Sequence, residues 1–549
     1  MLRRSPILVL LSLPWLAACQ GPQASDAPQL LAGYGGYHRT VSAAEGEAQS
    51  WIDQGFQLVY GFNHDEGVRS FQRATELNPD CAMAWWGIAY GYGVDVNNME
   101  VSDVEAKTGQ QAAERALALA EQATGVEQAL IHAVAQRAVY PMPEDRRPLD
   151  EAYAAAMREA WQNYPNDPDV GTLYAEALMN LQPWAYWSTE GEPLDDALEI
   201  VATLERVLAM DPLHPGANHF YIHAVEASQD PGRGTAAADR LRTLVPGSGH
   251  LVHMPSHIYI NIGRYEDAAT VNEAAIAADE AYFAKVGKPG FYSIYYVHNI
   301  HFLAFASMME GRSQAAIGAT RHMEAQVPAD FLKQFAAFAD GLMPAKFHAL
   351  IRFGRWEEIL AEPEYPEFRK VSRSIRSYAR VVALANLLRT EEARSELARF
   401  HELAAEVTDE WFIGANTAPT VLSISGRMAE AELLWREGKE EQAFTKMREA
   451  VAEEDQLVYD EPPGWMLPVR HALGAILLAA GRADEAEQVY REDLADWQEN
   501  GWALLGLEQA LRKQGRTAEA DALKPRVEAA WARADIEPPA SCYCGVKAE

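Results

Sequence analysis

The chain has 549 residues, of which 48% are hydrophobic, 23% charged and 10% aromatic, a globular composition that excludes disorder, collagen and a polytopic membrane protein. Lysine and arginine number 47 against 79 aspartate and glutamate residues, and the formal net charge of −32 is spread along the chain without a basic stripe. Electrostatics therefore argue against a nucleic-acid partner.

At the start of the chain, Arg3 and Arg4 precede an apolar run from Pro6 to Leu16 that ends in small residues. This is the pattern of a secretory signal peptide over residues 1–18. The sequence Leu16-Ala17-Ala18-Cys19 resembles the lipobox of bacterial lipoproteins. That resemblance implies cleavage before Cys19, acylation of its sulfur and anchoring in a lipid bilayer of the cell envelope. Gln20 in place of an aspartate points to the outer membrane, with the protein facing the periplasm. Several acyl chains on one residue hold stably, because each buried methylene contributes about 0.8 kcal/mol. No other segment approaches the ~20 apolar residues of a membrane helix. Residues 19–44, rich in Gly, Pro, Ser and Ala, are expected to form a flexible tether.

From residue 45 to 535 helical periodicity dominates and strand signals are almost absent, as in Gln111 to Ala123, Leu194 to Met210 and Ala475 to Asp496. Trp51, Gly55, Gly67, Phe71, Ala74 and Pro79 stand at the spacing of the tetratricopeptide pattern, with Gln54 in the leucine slot. Trp85 follows Trp51 by one 34-residue period. The chain thus resembles tetratricopeptide-repeat proteins. Degenerate copies continue at Gly263-Arg264-Tyr265, Gly311-Arg312 with Ala316, Gly354-Arg355-Trp356, Gly481-Arg482 with Ala486, and Trp502 with Leu505 and Gly506. The expected fold is all-α: one continuous α-solenoid of helix pairs forming a curved superhelix, because such pairs cannot bury their apolar faces alone.

Seven of the fifteen histidines fall between His219 and His301. His219 and His223 recur one period later as His253 and His257, and aligning Gly263 with Gly311 matches His301 to His253 and His298 to His250. Along each helix the spacings place His250, His253 and His257 on one face, and His219, His223 and Glu226 on another. In tetratricopeptide proteins the first helices line the concave groove, so the resemblance implies a groove lined by His219, His223, His250, His253, His257, His298 and His301. Imidazoles from neighbouring helices about 8 to 10 Å apart can converge. Imidazole with a carboxylate suits Zn, Cu or Fe, which makes these seven candidate ligands and Glu226 a further contact. No H-E-x-x-H motif orders them. A grid of histidines that grips a peptide or small acid, and plain packing, stay open as alternatives.

The step from His253 to His301 is 48 residues, and the excess over one period holds Tyr282, Phe283, Phe291, Tyr292, Tyr295 and Tyr296. These aromatics suit either a flap over the groove or a filler between helices. Pro183-Trp184-Ala185-Tyr186-Trp187 suits a wall of the same pocket or ordinary core. The string His253-Met254-Pro255-Ser256-His257-Ile258-Tyr259 also resembles one in large uncharacterised bacterial tetratricopeptide proteins, a likeness that implies no activity. By register His348 and His471 also face the groove, although single histidines are usually structural.

Beyond Cys19 there remain Cys81, Cys542 and Cys544, an odd number for an oxidising compartment. Cys542-Tyr543-Cys544, in the C-terminal tail 536–549, is read as either a soft Cu(I) site or the source of a disulfide to Cys81. Phosphate-binding glycine loops and a G-x-S-x-G elbow are absent, so nucleotide and serine-hydrolase chemistry lack support. The sequence reads as an envelope lipoprotein whose histidine-lined groove binds a transition metal or small ligand, with catalysis undecided. The alternative is an interaction module that grips a peptide or envelope protein without metal.

Overall fold

A computed structural model describes residues 28–287 and 290–545. Among them the architecture is all-α, a series of tetratricopeptide-like helix pairs, with a single two-residue hairpin in which Phe412–Ile413 pairs antiparallel with Asn416–Thr417. No described helix is long and apolar enough to cross a membrane. The signal-peptide residues 1–18 and Cys19 lie outside the described residues.

The first pair, Glu47–Tyr60 and His64–Leu77, shows why the repeat residues stand where they do. Trp51, Phe71 and Ala74 are buried between the helices. Gly55 has no alternative there, since a Cβ on it would come within 2.7 Å of the Phe71 ring. Burying a side chain of that size contributes roughly 1.5–3 kcal/mol, which is what holds two short helices together. Between them Phe62 takes a left-handed φ of 56°, and the Asn63 side chain caps the second helix by accepting from the Glu66 N–H. The expected helix-ending glycines Gly263, Gly311, Gly354 and Gly481 all adopt positive φ, the conformation that closes a first helix.

Contacts divide the chain into two compact units: one comprises the chain up to Ile258 with Ala274–Tyr296, the other Tyr259–Glu273 with Val297 onward. Of the two readings of the insertion around Tyr282, the filler fits and the flap does not: the segment is ordinary helix, lengthening Tyr265–Val286 and opening Ser293–Met309, and Tyr282, Tyr292, Tyr295 and Tyr296 are buried. One expectation is corrected: the described part of the expected tether is docked on the first unit. Tyr34 is buried with its carbonyl accepting from Gln57, and Arg39 bridges Asp167 and Asp169 at 2.9 and 2.5 Å. Composition misled here because a few tyrosine and arginine anchors decide docking, whatever the abundance of small residues around them.

The C-terminal tail is likewise packed on the second unit. Tyr490 and Ser541 share a hydroxyl hydrogen bond of 2.6 Å, and Arg436 donates to the Cys544 carbonyl at 2.8 Å.

Candidate metal centre

The first unit gathers five histidines and one glutamate. Helix Pro215–Val225 starts with Pro215, whose missing N–H costs nothing at that position, and is capped by His214, whose Nδ1 accepts from Ala217 N–H. One turn apart on this helix, His219 and His223 face inward, and Glu226 follows directly. Helix Gly249–His253 carries His250 and His253, and Pro255–Asn261 carries His257. All six side chains are buried.

Three of the rings, His219, His223 and His257, have Nδ1 paired with an acceptor. The Tyr60 carbonyl lies 2.6 Å from His219 Nδ1, so that nitrogen carries the proton and Nε2 keeps its lone pair. Glu226 does the same for two rings, its carboxylate oxygens lying 3.1 Å from His223 Nδ1 and 2.7 Å from His257 Nδ1. An imidazole whose Nδ1–H is held by a carbonyl or carboxylate is oriented as a metal ligand through Nε2. His223 Nε2 is buried and has no hydrogen-bond partner. The Nε2 atoms of His219 and His250 lie 3.1 Å apart, and those of His253 and His257 2.8 Å apart. His219, His223 and His250 each offer a nitrogen within 4.8 Å of the other two. His223, Glu226 and His257 meet the same test, although there the atoms already bond one another.

Burial pushes the affinity of His219 and His250 for protons well below the ordinary imidazole value, and neighbouring imidazoles push the same way: His223 for His219, and His219 for His250. His223 is lowered too, again first by burial. For Glu226 burial alone would raise the carboxyl, but the hydrogen bonds and field of His223 and His257 outweigh it and hold the group below the usual carboxylate range. Burial thus favours the neutral imidazole at His219, His223 and His250, the form in which histidine binds a metal ion.

Aromatic rings enclose it. The Phe62 ring lies 4.5 Å from His219, Tyr295 lies 4.4 Å from His250, and Trp184 meets His223 edge-on at 5.0 Å. Behind Tyr60 a buried network fixes the carbonyl that orients His219: Asp169 accepts from Tyr60 Oη at 2.6 Å, Tyr37 Oη at 2.5 Å, His214 Nε2 at 3.0 Å and Arg39.

The sequence-derived set of seven divides between the units. His298 and His301 lie on helix Ser293–Met309 in the part that belongs to the second unit. There the His298 ring packs edge-on against Phe302, and His301 Nε2 stands 3.3 Å from Met466 Sδ. Repeat register matched these residues to His250 and His253 but carried no information on where the contacts divide the chain. His471, also in the second unit, is tied between Asp493 and Arg352 at 3.0 Å each, a structural network. Tyr60 was missed as a site residue because its contribution is a backbone carbonyl, which has no sequence signature. Among the cysteines, Cys542 and Cys544 are bonded to each other and Cys81 is a buried thiol, so neither the disulfide to Cys81 nor a dithiol Cu(I) site is present.

No protein-family model and no curated protein matches the sequence. Among solved structures, the human IFIT1 dimer with m7Gppp-AAAA aligns with 88% of this chain and 90% of its own at 10% identity and a TM-score of 0.31. Yeast Tom70 aligns over 88% of this chain and 96% of its own at 11% identity and a TM-score of 0.29.

Proposed function

We propose that the first unit binds a transition-metal ion through Nε2 of His219, His223 and His250, with Glu226 as the outer carboxylate that orients His223 and joins His257 to the cluster. The observation that carries this reading is the pairing of both His219 Nδ1 and His223 Nδ1 with acceptors, which directs two buried lone pairs toward one another and toward His250. A purely structural imidazole gains nothing from a buried Nε2 without a partner, a loss of about 1–3 kcal/mol that a metal ion removes. Neutral imidazole sets suit Zn, Cu or Fe. Three protein ligands leave a coordination position for a small molecule, which is the arrangement of catalytic sites as opposed to closed structural ones. A peptide partner has less support, since its contacts would have to reach side chains that are buried within the unit.

We read the chain as an envelope lipoprotein facing the periplasm, on the strength of Leu16-Ala17-Ala18-Cys19. Acyl-chain labelling that disappears in Cys19→Ala tests the anchor. For the metal, elemental mass spectrometry of the chain purified without a metal-binding tag should give about one equivalent of one transition metal. His219→Ala/His223→Ala should lose it. Absence of metal after reconstitution with Zn, Cu and Fe overturns the reading.

A further inference from the structure

The second unit contains a cavity that the proposed centre does not use. It is lined by His301, His348, Met466, Asp460, Pro463 and Ile375. His301 Nε2 and Met466 Sδ are 3.3 Å apart, and both residues are buried. His348 is also buried, and its Nδ1 has no hydrogen-bond partner. The edge-on contact of its ring with Trp465, at 4.8 Å between centroids, leaves that nitrogen unsatisfied. Asp460 is committed elsewhere: each carboxylate oxygen accepts a backbone N–H, from Ala415 at 3.0 Å and Glu461 at 3.1 Å.

The donors available to a guest are therefore two neutral imidazoles and a thioether. A thioether is a weak hydrogen-bond acceptor, so its placement against an imidazole nitrogen offers little to folding. It is a good ligand for soft cations, and with imidazole it favours Cu(I) over Mg, Ca or Mn, which prefer oxygen. His301 and His348 line the same cavity, which places their rings in one neighbourhood. We infer that His301, His348 and Met466 form a second cation site, selective for Cu(I), independent of the histidine cluster in the first unit.

The test titrates the full chain anaerobically with Cu(I) held by a chromophoric chelator. In a His219→Ala/His223→Ala background, which silences the first cluster, one Cu(I) equivalent should remain. Adding Met466→Leu, a swap of similar volume, should weaken that equivalent at least tenfold. Circular dichroism and the thermal midpoint check that these variants are folded. X-ray absorption on the Cu(I)-loaded wild type, which needs no variant, should show sulfur as well as nitrogen around copper. Affinity unchanged by Met466→Leu in a folded variant, or a copper environment without sulfur, overturns the assignment. Either result leaves the zinc, copper or iron content of the first cluster to be judged by its own measurement.

Discussion

The carbonyl oxygen of Tyr60 accepts a 2.6 Å hydrogen bond from Nδ1 of His219, a residue 159 positions later in the chain. Through it the end of the first repeat helix sets the tautomer of a buried imidazole. Tyr60 is itself held by Asp169, so a carboxylate that touches no candidate ligand determines how one is presented. Gly216 makes the approach possible, because a Cβ there would fall 2.6 Å from the Tyr60 ring.

Asp169→Asn should therefore act on both stability and metal. It leaves Arg39 without its closest partner and weakens the hold on Tyr60. Removing one partner of a buried ion pair costs roughly 3–5 kcal/mol, and Asp167 on the other side of Arg39 places the expected loss near the lower end. Urea unfolding should show that loss, and metal affinity should drop with it. A change of under about 1 kcal/mol would mean that the network is redundant.

Gly249→Ala tests the helix that carries His250. A Cβ at Gly249 would sit 2.0 Å from the Asp279 carboxylate, which Tyr292 also contacts at 3.1 Å. Relief requires Asp279 or the helix start to move, at about 1–3 kcal/mol. The variant should fold, melt several degrees lower and bind metal more weakly than wild type. Unchanged metal affinity would show that His250 is not a ligand.

Metal loading should be visible at Trp184. This half-exposed ring meets His223 edge-on, and its Nε1 donates to the Val96 carbonyl at 3.0 Å. Binding of paramagnetic Co(II) or Cu(II) to the cluster should quench a component of tryptophan fluorescence that is missing in Trp184→Phe. The same ions should raise the thermal midpoint by mass action, about 2.7 kcal/mol at a hundredfold excess over Kd, and a chelator should reverse it. Equal quenching with and without Trp184 would place the ion elsewhere.

His64 supplies a pH test away from both sites. Burial first, and the Arg137 charge second, push its imidazole down to about 4 from the ordinary value of about 6.5. The unfolded chain thus binds a proton that the folded chain refuses between those values, and His64 destabilises the fold as pH falls from about 6.5 to about 4. Above that window it has no such effect. For one group the slope is about 1.4 kcal/mol per pH unit. His64→Gln should accordingly gain on wild type by roughly 2–3 kcal/mol between pH 7 and pH 4, read from urea midpoints, whatever its offset at pH 7. Parallel profiles for the two proteins would show that His64 titrates normally.

The helix pairs were legible from the sequence because their signals are local. Gly55 and Phe71 lie within one repeat, positive-φ glycines end helices where they stand, and the spacing of His219, His223 and Glu226 puts them on one face whatever surrounds it. Candidate ligands of the first unit followed from that spacing. What only the tertiary structure decided concerns partners far apart in sequence. Register made His298 and His301 equivalents of His250 and His253, but which unit a helix packs into is set by long-range contacts, and these assign both residues to the second unit. Met466 joined His301 across 165 residues, and Cys542 closed on Cys544 with no part played by Cys81. The Nδ1 acceptors of the cluster, a backbone carbonyl and one carboxylate, were equally unreadable. Hydrophobic periodicity reports which face of a helix is buried. It does not report which atom waits on the other side, because that depends on how distant helices are brought together by packing that many sequences can satisfy.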